Sequence, residues 1–326
     1  MSSVDREAVD DRPRAGRVVV GVDIGGTKTA LMANDVTSGE DLAHDRFPTP
    51  SDAGSEALIG DLTTAIRRLV DQVGRDPEQL ASVGVAVPGQ VDARAGRVIA
   101  AGNLRGWDDV PLRDILCRDL GVPVFVEQDA NAAALGERWR GSAKEMNNFV
   151  FLALGTGIGA GVMINGRLHR GFHHAAGEVG NFILGREYLG ENREGHGNLE
   201  LLVGGPEIRH QAKRIRGEEM GAADALRRAE EDERLARMAD EIADHVAIAV
   251  INIAALLDPE AIVFGGGTSS AGEDLLDRVR SRVERELSVC PALIHSVLGE
   301  DAQLHGAVFG ALWELDPDLA LREELR

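Results

Sequence analysis

The stretch Val18-Val19-Val20-Gly21-Val22-Asp23-Ile24-Gly25-Gly26-Thr27-Lys28-Thr29-Ala30-Leu31-Met32 joins two apolar runs through a glycine turn. This pattern predicts a β-hairpin whose turn comes close to a ligand. Glycines let successive backbone N–H groups point into one concavity that an anion fills, and the Thr and Lys add a hydroxyl and a cation. Asp23, just before the turn, is placed to hold hydrated Mg²⁺ beside the anion. The predicted phosphate ligands are Gly25, Gly26, Thr27 and Lys28.

A solvated glycine turn without a ligand would show the same local pattern, so the alternative stays open for the first turn alone. The chain has no Gly-x-x-x-x-Gly-Lys-Ser/Thr loop, and a strand rather than a helix is predicted to follow the turn. These two features argue against a Walker A loop and against a dinucleotide-binding fingerprint.

A second hairpin of the same kind is predicted from Phe149 to Ile164, with its turn at Gly155-Thr156-Gly157. A third apolar strand, Ala261–Phe264, ends in Gly265-Gly266-Gly267-Thr268. Two glycine hairpins far apart in the chain suggest two related halves that clasp one polyphosphate.

The composition is that of a soluble globular protein long enough for two domains, with 326 residues, 44% hydrophobic and 27% charged. No apolar run is long enough to span a membrane. Residues 1–17 contain no apolar core and are predicted to be a disordered tail rather than a signal peptide. Two cysteines, Cys117 and Cys290, favour a reducing cytoplasm. A net charge of −19 argues against nucleic-acid and anionic-membrane partners.

Apolar periodicity and breaker residues predict an α/β chain. Helices are predicted around 57–73, at 109–120, at 130–139, at 206–216, onward to Leu257, and at about 305–315. Strands are predicted at 83–87 and 122–126, loops at Pro88-Gly89 and 103–107, and an irregular glycine-rich segment at 187–205.

Phosphoryl transfer requires a phosphate site, a metal and a carboxylate that accepts the proton of the attacking hydroxyl. Asp129, at a predicted strand-to-helix junction, is the candidate base, and the alternative role is a cap of that helix. Glu178 and Glu200 stand in glycine-rich segments and could accept sugar hydroxyls, although singly each resembles a surface charge. The clustered histidines 169, 173 and 174 lack partners at metal-ligand spacing.

The chain resembles the ROK family, which comprises bacterial and archaeal sugar kinases and some sugar-responsive repressors. The resemblance covers about residues 18 to 315. It is carried in order by Asp23-Ile24-Gly25-Gly26-Thr27-Lys28, Val87-Pro88-Gly89, Asn103-Leu104-x-Gly106-Trp107, Asp129-Ala130-Asn131-Ala132-Ala133, Leu154-Gly155-Thr156-Gly157-Ile158-Gly159, Gly177-Glu178-Val179-Gly180 and Leu199-Glu200.

The resemblance implies an actin-like ATPase (ribonuclease H-like) fold of two α/β domains, with sugar and nucleotide bound in the cleft between them. We expect an N-terminal domain at 18–125, joined by a C-terminal helix at 305–326, and a second domain at 126–304. By the same resemblance Asp129 is the base that deprotonates the 6-hydroxyl of the sugar. The implied sugar ligands are Gly89, Asn103, Gln128, Asp129, Glu178, Asn181 and Glu200. The implied ligands of ATP are the two phosphate turns, Gly25 to Lys28 and Gly155 to Gly157, with Gly266 and Gly267 beside the adenosine.

Two departures from the family pattern concern the sugar pocket. Family members commonly carry a Gly-His after the first Glu and a Cys-x-Cys-Gly-x-x-Gly-Cys zinc motif, whereas this chain has Asn181 at the His position and no Cys at the motif. The Cys positions are occupied by Glu191, Arg193 and Asn198. Zinc is therefore not expected. Gln128 stands where the family usually has a sugar-contacting Asn, and polar contacts discriminate strongly between sugars.

The predicted activity is that of an Mg²⁺- and ATP-dependent glucokinase. Alternative acceptors are N-acetylmannosamine, N-acetylglucosamine, mannose and fructose, and polyphosphate is an alternative donor. A sugar-sensing regulator is disfavoured because only 17 residues precede the first predicted strand and the chain is acidic. The resemblance also suggests a homodimer or homotetramer.

Overall fold

The computed structural model describes residues 16–190, 196–268 and 273–316. These residues form two compact units: the first runs to Ala132 and resumes at Leu304, and the second spans Ala133–Gln303. The sequence-based division differs, with boundaries at 125/126 and 304/305. Of the predicted tail, residues 1–15 lie outside the described ranges, as do residues 317–326 of the expected C-terminal helix.

Thirteen strands and nine helices are named in chain order within the described ranges. The strands are β1 Val18–Ile24, β2 Lys28–Asp35, β3 Asp41–Pro48, β4 Leu80–Val87, β5 Gln90–Asp92, β6 Arg97–Ala100, β7 Asp108–Val110, β8 Val124–Gln128, β9 Phe149–Leu154, β10 Ile158–Ile164, β11 Arg167–Leu168, β12 Ala261–Gly265 and β13 Ala292–His295. The helices are α1 Ser55–Gln72, α2 Leu112–Leu120, α3 Asp129–Trp139, α4 Asn198–Val203, α5 Gly205–Arg216, α6 Ala222–Arg227, α7 Glu233–Leu257, α8 Glu273–Glu286 and α9 Ala302–Leu315.

The first unit is built on a five-stranded sheet in the order β3-β2-β1-β4-β8. β2 is antiparallel to β1 and β3, which confirms the first predicted hairpin, whereas β4 is parallel to both β1 and β8. Because β1, β4 and β8 run in one direction, their carboxyl ends lie at a single edge of the sheet. β5, β6 and β7 form a small separate sheet.

Helices cover both faces of the first sheet, which explains why β1 and β4 are almost entirely apolar. On one face, Leu62 and Ile66 of α1 and Leu116 of α2 join a buried cluster with the strand valines. On the other face α9 packs so closely that a Cβ added to Gly84 would lie 1.8 Å from the carbonyl oxygen of Ala307. Only glycine fits at this point of β4, so Gly84 determines where α9 docks.

The second unit repeats the same strand arrangement in the order β11-β10-β9-β12-β13. β10 is antiparallel to β9 and β11, which confirms the second predicted hairpin, and β12 is parallel to β9 and β13. One face of this sheet is covered by α4 to α8 and the other by Ala133 and Ala134 of α3 together with Ala143. None of the helices in the described ranges has both the length and the apolar composition needed to cross a bilayer.

Two predicted elements are wrong in detail. The helix predicted from Asp109 begins at Leu112, because residues 108–110 pair with β6 and the residue before Pro111 is disfavoured in a helical conformation; Pro111 itself occupies the N-cap. The segment 187–205, predicted to be irregular, contains α4, whose Leu199 and Val203 are buried in the core of the second unit. The burial of these two side chains favours a helix here in spite of the neighbouring glycines.

Candidate active site

The first unit gathers its predicted site residues at the carboxyl ends of three parallel strands. In the sheet register Asp23 of β1 lies beside Ala86 of β4, and Val87 lies beside Gln128 of β8. The turns that follow these strands therefore emerge at one edge, where ligands bind in open α/β sheets. Asp23, Gly89 and Asp129 all stand at that edge.

The first glycine turn is closed by a hydrogen bond from the Gly25 N–H to the carbonyl oxygen of Lys28 at 3.0 Å. Thr27 and Lys28 are exposed at its tip. A Cβ added to Gly26 would lie 3.2 Å from the Asn103 side-chain nitrogen, so the loop that carries Asn103 reaches this turn. A predicted phosphate ligand and a predicted sugar ligand are thus neighbours.

Gly89 adopts φ +91°, a left-handed conformation that favours glycine. A Cβ at this position would lie 2.2 Å from the carbonyl oxygen of Ala100. The Pro88-Gly89 turn is therefore held directly against the small sheet, and no other residue fits there.

Asp129 is the first residue of α3 and is half-buried. Its Oδ1 accepts a hydrogen bond from the Ala130 N–H at 2.6 Å. Burial raises the pKa of Asp129 to about 6, and the Ala130 N–H opposes this rise only in part. The carboxylate is thus basic for an aspartate but still ionised at neutral pH, which suits a general base.

The capping role considered for Asp129 belongs instead to Gln128. Its Oε1 accepts the N–H of Asn131 at 2.9 Å, which is the side-chain contact of a helix N-cap. The hydrogen bond of Asp129 is to the N–H of the next residue, Ala130, and uses Oδ1. The helix is capped by Gln128 and does not need the Asp129 carboxylate for this purpose.

The second glycine turn is bound to two other segments of the second unit. The Gly155 N–H donates to the carbonyl oxygen of Gly157 at 3.1 Å, and the Gly205 N–H donates to that of Gly155 at 2.8 Å. The Thr268 N–H donates to the carbonyl oxygen of Leu154 at 2.8 Å. The start of α5 and the turn after β12 are therefore both fixed against the hairpin.

These three segments and α6 enclose a cavity of about 300 Å³. Among the predicted nucleotide ligands, Gly155, Thr156 and Gly267 line it. Gly266, next in the chain, has φ +86°, and a Cβ there would lie 2.5 Å from the carbonyl oxygen of Leu154. Sequence reasoning missed the lining residues Gly205, Arg209, Gly221, Ala222, Ala223, Asp224, Arg227 and Thr268.

Glu200 has both carboxylate oxygens engaged. Oε2 accepts the N–H of Ile158, at the start of β10, at 3.1 Å, and Oε1 lies 3.0 Å from Nδ1 of His196. A Cβ on Gly157 would lie 2.9 Å from Oε2. This predicted sugar ligand is therefore hydrogen-bonded to the second glycine hairpin.

Glu178 precedes a single helical turn, Val179–Asn181, that ends with Asn181, and both residues are exposed. The Asn181 N–H donates to the carbonyl oxygen of Glu178 at 3.1 Å. Gly180 lies against Glu200, since a Cβ there would be 3.5 Å from the Glu200 Cβ. The three predicted sugar ligands of the second unit thus share one neighbourhood.

In the family pattern the zinc motif corresponds to residues 191–198 of this chain, and hydrogen bonds hold Asn198 and Leu199 in place at its end. The buried Asn198 accepts the Leu184 N–H through Oδ1 at 3.0 Å, and the Leu199 N–H donates to the carbonyl oxygen of Phe182 at 3.2 Å. Asn198 stands at a Cys position of that motif. The other two positions, Glu191 and Arg193, lie outside the described residues, and the absence of zinc stays a prediction.

Comparison with known proteins identifies the family of this chain. The ROK family model matches residues 19–314, so this chain belongs to the ROK family. A glucokinase of Halalkalibacterium halodurans is 32% identical over 284 residues, which cover 82% of this chain and 86% of that protein.

Solved structures agree with this assignment. A ROK hexokinase from Thermus thermophilus has 31% identity and a TM-score of 0.77, with 92% of this chain and 99% of that chain covered. A ROK glucokinase from Streptomyces griseus, in complex with glucose and AMPPNP, has 29% identity and a TM-score of 0.77, with 90% of this chain and 99% of that chain covered. The predicted actin-like ATPase fold and the family resemblance are both confirmed.

Proposed function

We propose that this protein is an ATP-dependent hexose kinase of the glucokinase type, which phosphorylates the 6-hydroxyl of its sugar. The observation that carries the proposal is the carboxylate of Asp129, at the carboxyl end of β8 and with its pKa raised to about 6. The glucokinase and hexokinase names of its relatives support the same reaction.

Asp129 acts as the general base in this proposal. Its carboxylate accepts the proton of the 6-hydroxyl as that oxygen attacks the terminal phosphorus of the donor. The oxygen–phosphorus bond to the sugar forms, the bond to the leaving nucleoside diphosphate breaks, and the proton stays on Asp129 until product release. Gln128 fixes the start of α3 and so positions this carboxylate.

The proposed donor site lies in the second unit. The cavity beside the second glycine turn is large enough to hold part of a nucleotide, and exposed Thr156 offers a hydroxyl to phosphate oxygens. ATP is the proposed donor, and the AMPPNP bound to the glucokinase of Streptomyces griseus supports this choice.

Asp23 fits a role in Mg²⁺ binding. It is half-buried near the carboxyl end of β1, two residues before Gly25 of the first glycine turn, and carboxylate oxygen is a hard ligand that suits Mg²⁺. When bound, the ion would supply positive charge to the phosphates.

The acceptor depends on the sugar ligands. The Oε1 of Gln128 already accepts the Asn131 N–H, and its amide nitrogen can donate to a sugar oxygen, so this position favours a sugar that presents an acceptor there. Glucose is the first candidate, and N-acetylmannosamine, N-acetylglucosamine, mannose and fructose are the alternatives that this position could favour.

The test is release of ADP from Mg²⁺-ATP with each of these five sugars, with identification of the phosphorylated carbon by NMR. We expect turnover with glucose, formation of its 6-phosphate and slow hydrolysis of ATP without sugar. Silence with all five sugars, using both ATP and polyphosphate as donors, would contradict the proposal.

A further inference from the structure

Arg209 lies one helical turn after the start of α5 and lines the cavity of the second unit. A Cβ added to Gly205 would lie 3.4 Å from a terminal guanidinium nitrogen of Arg209 and 3.0 Å from the carbonyl oxygen of Gly155. The guanidinium is therefore close to the backbone that holds the second glycine turn in place.

Arg209 forms no hydrogen bond or ion pair with any of the described residues. Arg227 also lines the cavity, but it forms an ion pair with Asp224. In a chain with a net charge of −19, a cation that has no ion-pair partner among the described residues and lies beside a predicted phosphate turn is a specific feature. The Arg209 guanidinium is therefore suited to bind an anionic ligand in the cavity.

We propose that Arg209 binds the phosphate chain of the donor nucleotide. The inference rests on the proposed function and extends it by naming the cation of the donor site. A guanidinium presents planar N–H donors that match phosphate oxygens, and hydrogen bonds between charged groups are the stronger ones. The neutral nucleoside part of the donor does not use this contact.

The experiment compares Arg209→Gln with Arg214→Gln, which removes the same charge from the same helix at an exposed position outside the cavity. Binding of MgADP and of adenosine to the full chain is measured by calorimetry without sugar. We expect Arg209→Gln to weaken MgADP binding by roughly tenfold or more and to leave adenosine binding unchanged. Arg214→Gln should bind both ligands as the wild type does, and Arg209→Lys should retain part of the affinity.

Unchanged MgADP binding in a folded Arg209→Gln protein would overturn the inference. An equal loss for adenosine and MgADP would also overturn it, because Arg209 would then support the shape of the cavity. If Arg209→Gln weakens MgADP but the wild type phosphorylates no sugar, the inference is supported and the proposed kinase reaction fails. Wild-type protein that binds no MgADP would overturn both.

Discussion

Gln128 caps helix α3 by accepting the backbone N–H of Asn131 at 2.9 Å, and it stands immediately before Asp129. The residue that replaces the usual sugar-contacting Asn of the family thus fixes the helix that begins with the candidate base. One amide side chain thus serves as the helix cap and is also a predicted sugar ligand.

Replacing Gln128 with Ala should lower the free energy of unfolding by about 1 kcal/mol, because the Asn131 N–H loses its acceptor. Gln128→Asn keeps an amide of a type favoured at helix N-caps and should lose less. Urea denaturation monitored by circular dichroism measures both. Wild-type stability in Gln128→Ala would show that the cap contributes nothing.

The pH dependence of turnover should report the titration of Asp129. Because burial raises the pKa of Asp129 to about 6, the base is ionised above that pH and is lost by protonation below it. We expect kcat/KM for the sugar to fall about tenfold for each pH unit below 6. An acid limb near the ordinary aspartate value of about 4 would contradict the assigned environment of Asp129.

His196 should position Glu200. Its Nδ1 lies 3.0 Å from Oε1 of Glu200, so His196→Ala removes one of the two contacts that orient this carboxylate. We expect the KM for the sugar to rise about fivefold, with kcat and the KM for MgATP nearly unchanged. His210→Ala, which removes an exposed histidine from α5, is the matched control. Equal KM values for the two variants would rule out this role.

Glu137 is a buried carboxylate that stabilises the second unit. It accepts the Ser142 N–H at 2.6 Å and the Ser296 hydroxyl, and burial raises its pKa despite these bonds. Glu137→Ala should lower the free energy of unfolding by roughly 1–3 kcal/mol, because the groups that donate to the carboxylate lose their acceptor. The exposed Glu145→Ala is the control, and equal denaturation midpoints would contradict the expectation.

The parts of the fold that depend on local chemistry could be predicted from the sequence. Both hairpins follow from glycine turns between apolar runs, and the position of Asp129 follows from a strand that runs directly into an alanine-rich helix. Strand β3 was not predicted, because its sequence is polar and its residues alternate between exposed and partly buried. It forms as an edge strand by pairing with β2.

The donor cavity could be predicted only in part. Its glycine turns have a local signature, whereas Arg209 stands in an ordinary amphipathic helix whose approach to Gly155 depends on tertiary packing. The cap by Gln128 also escaped prediction, since Asp is the commoner capping residue and stands next to it. Both features depend on which side chains meet in the folded protein, and the local sequence pattern around each residue does not show this.

The most direct test of Asp129 as the general base compares sugar-dependent ADP release by Asp129→Asn and by the wild type. Sugar binding is measured by calorimetry on both proteins. The amide keeps the size of the side chain but is not a base. We expect turnover to fall by roughly 100- to 10,000-fold while the dissociation constant for the sugar changes little. Near wild-type turnover in Asp129→Asn would show that another group accepts the proton.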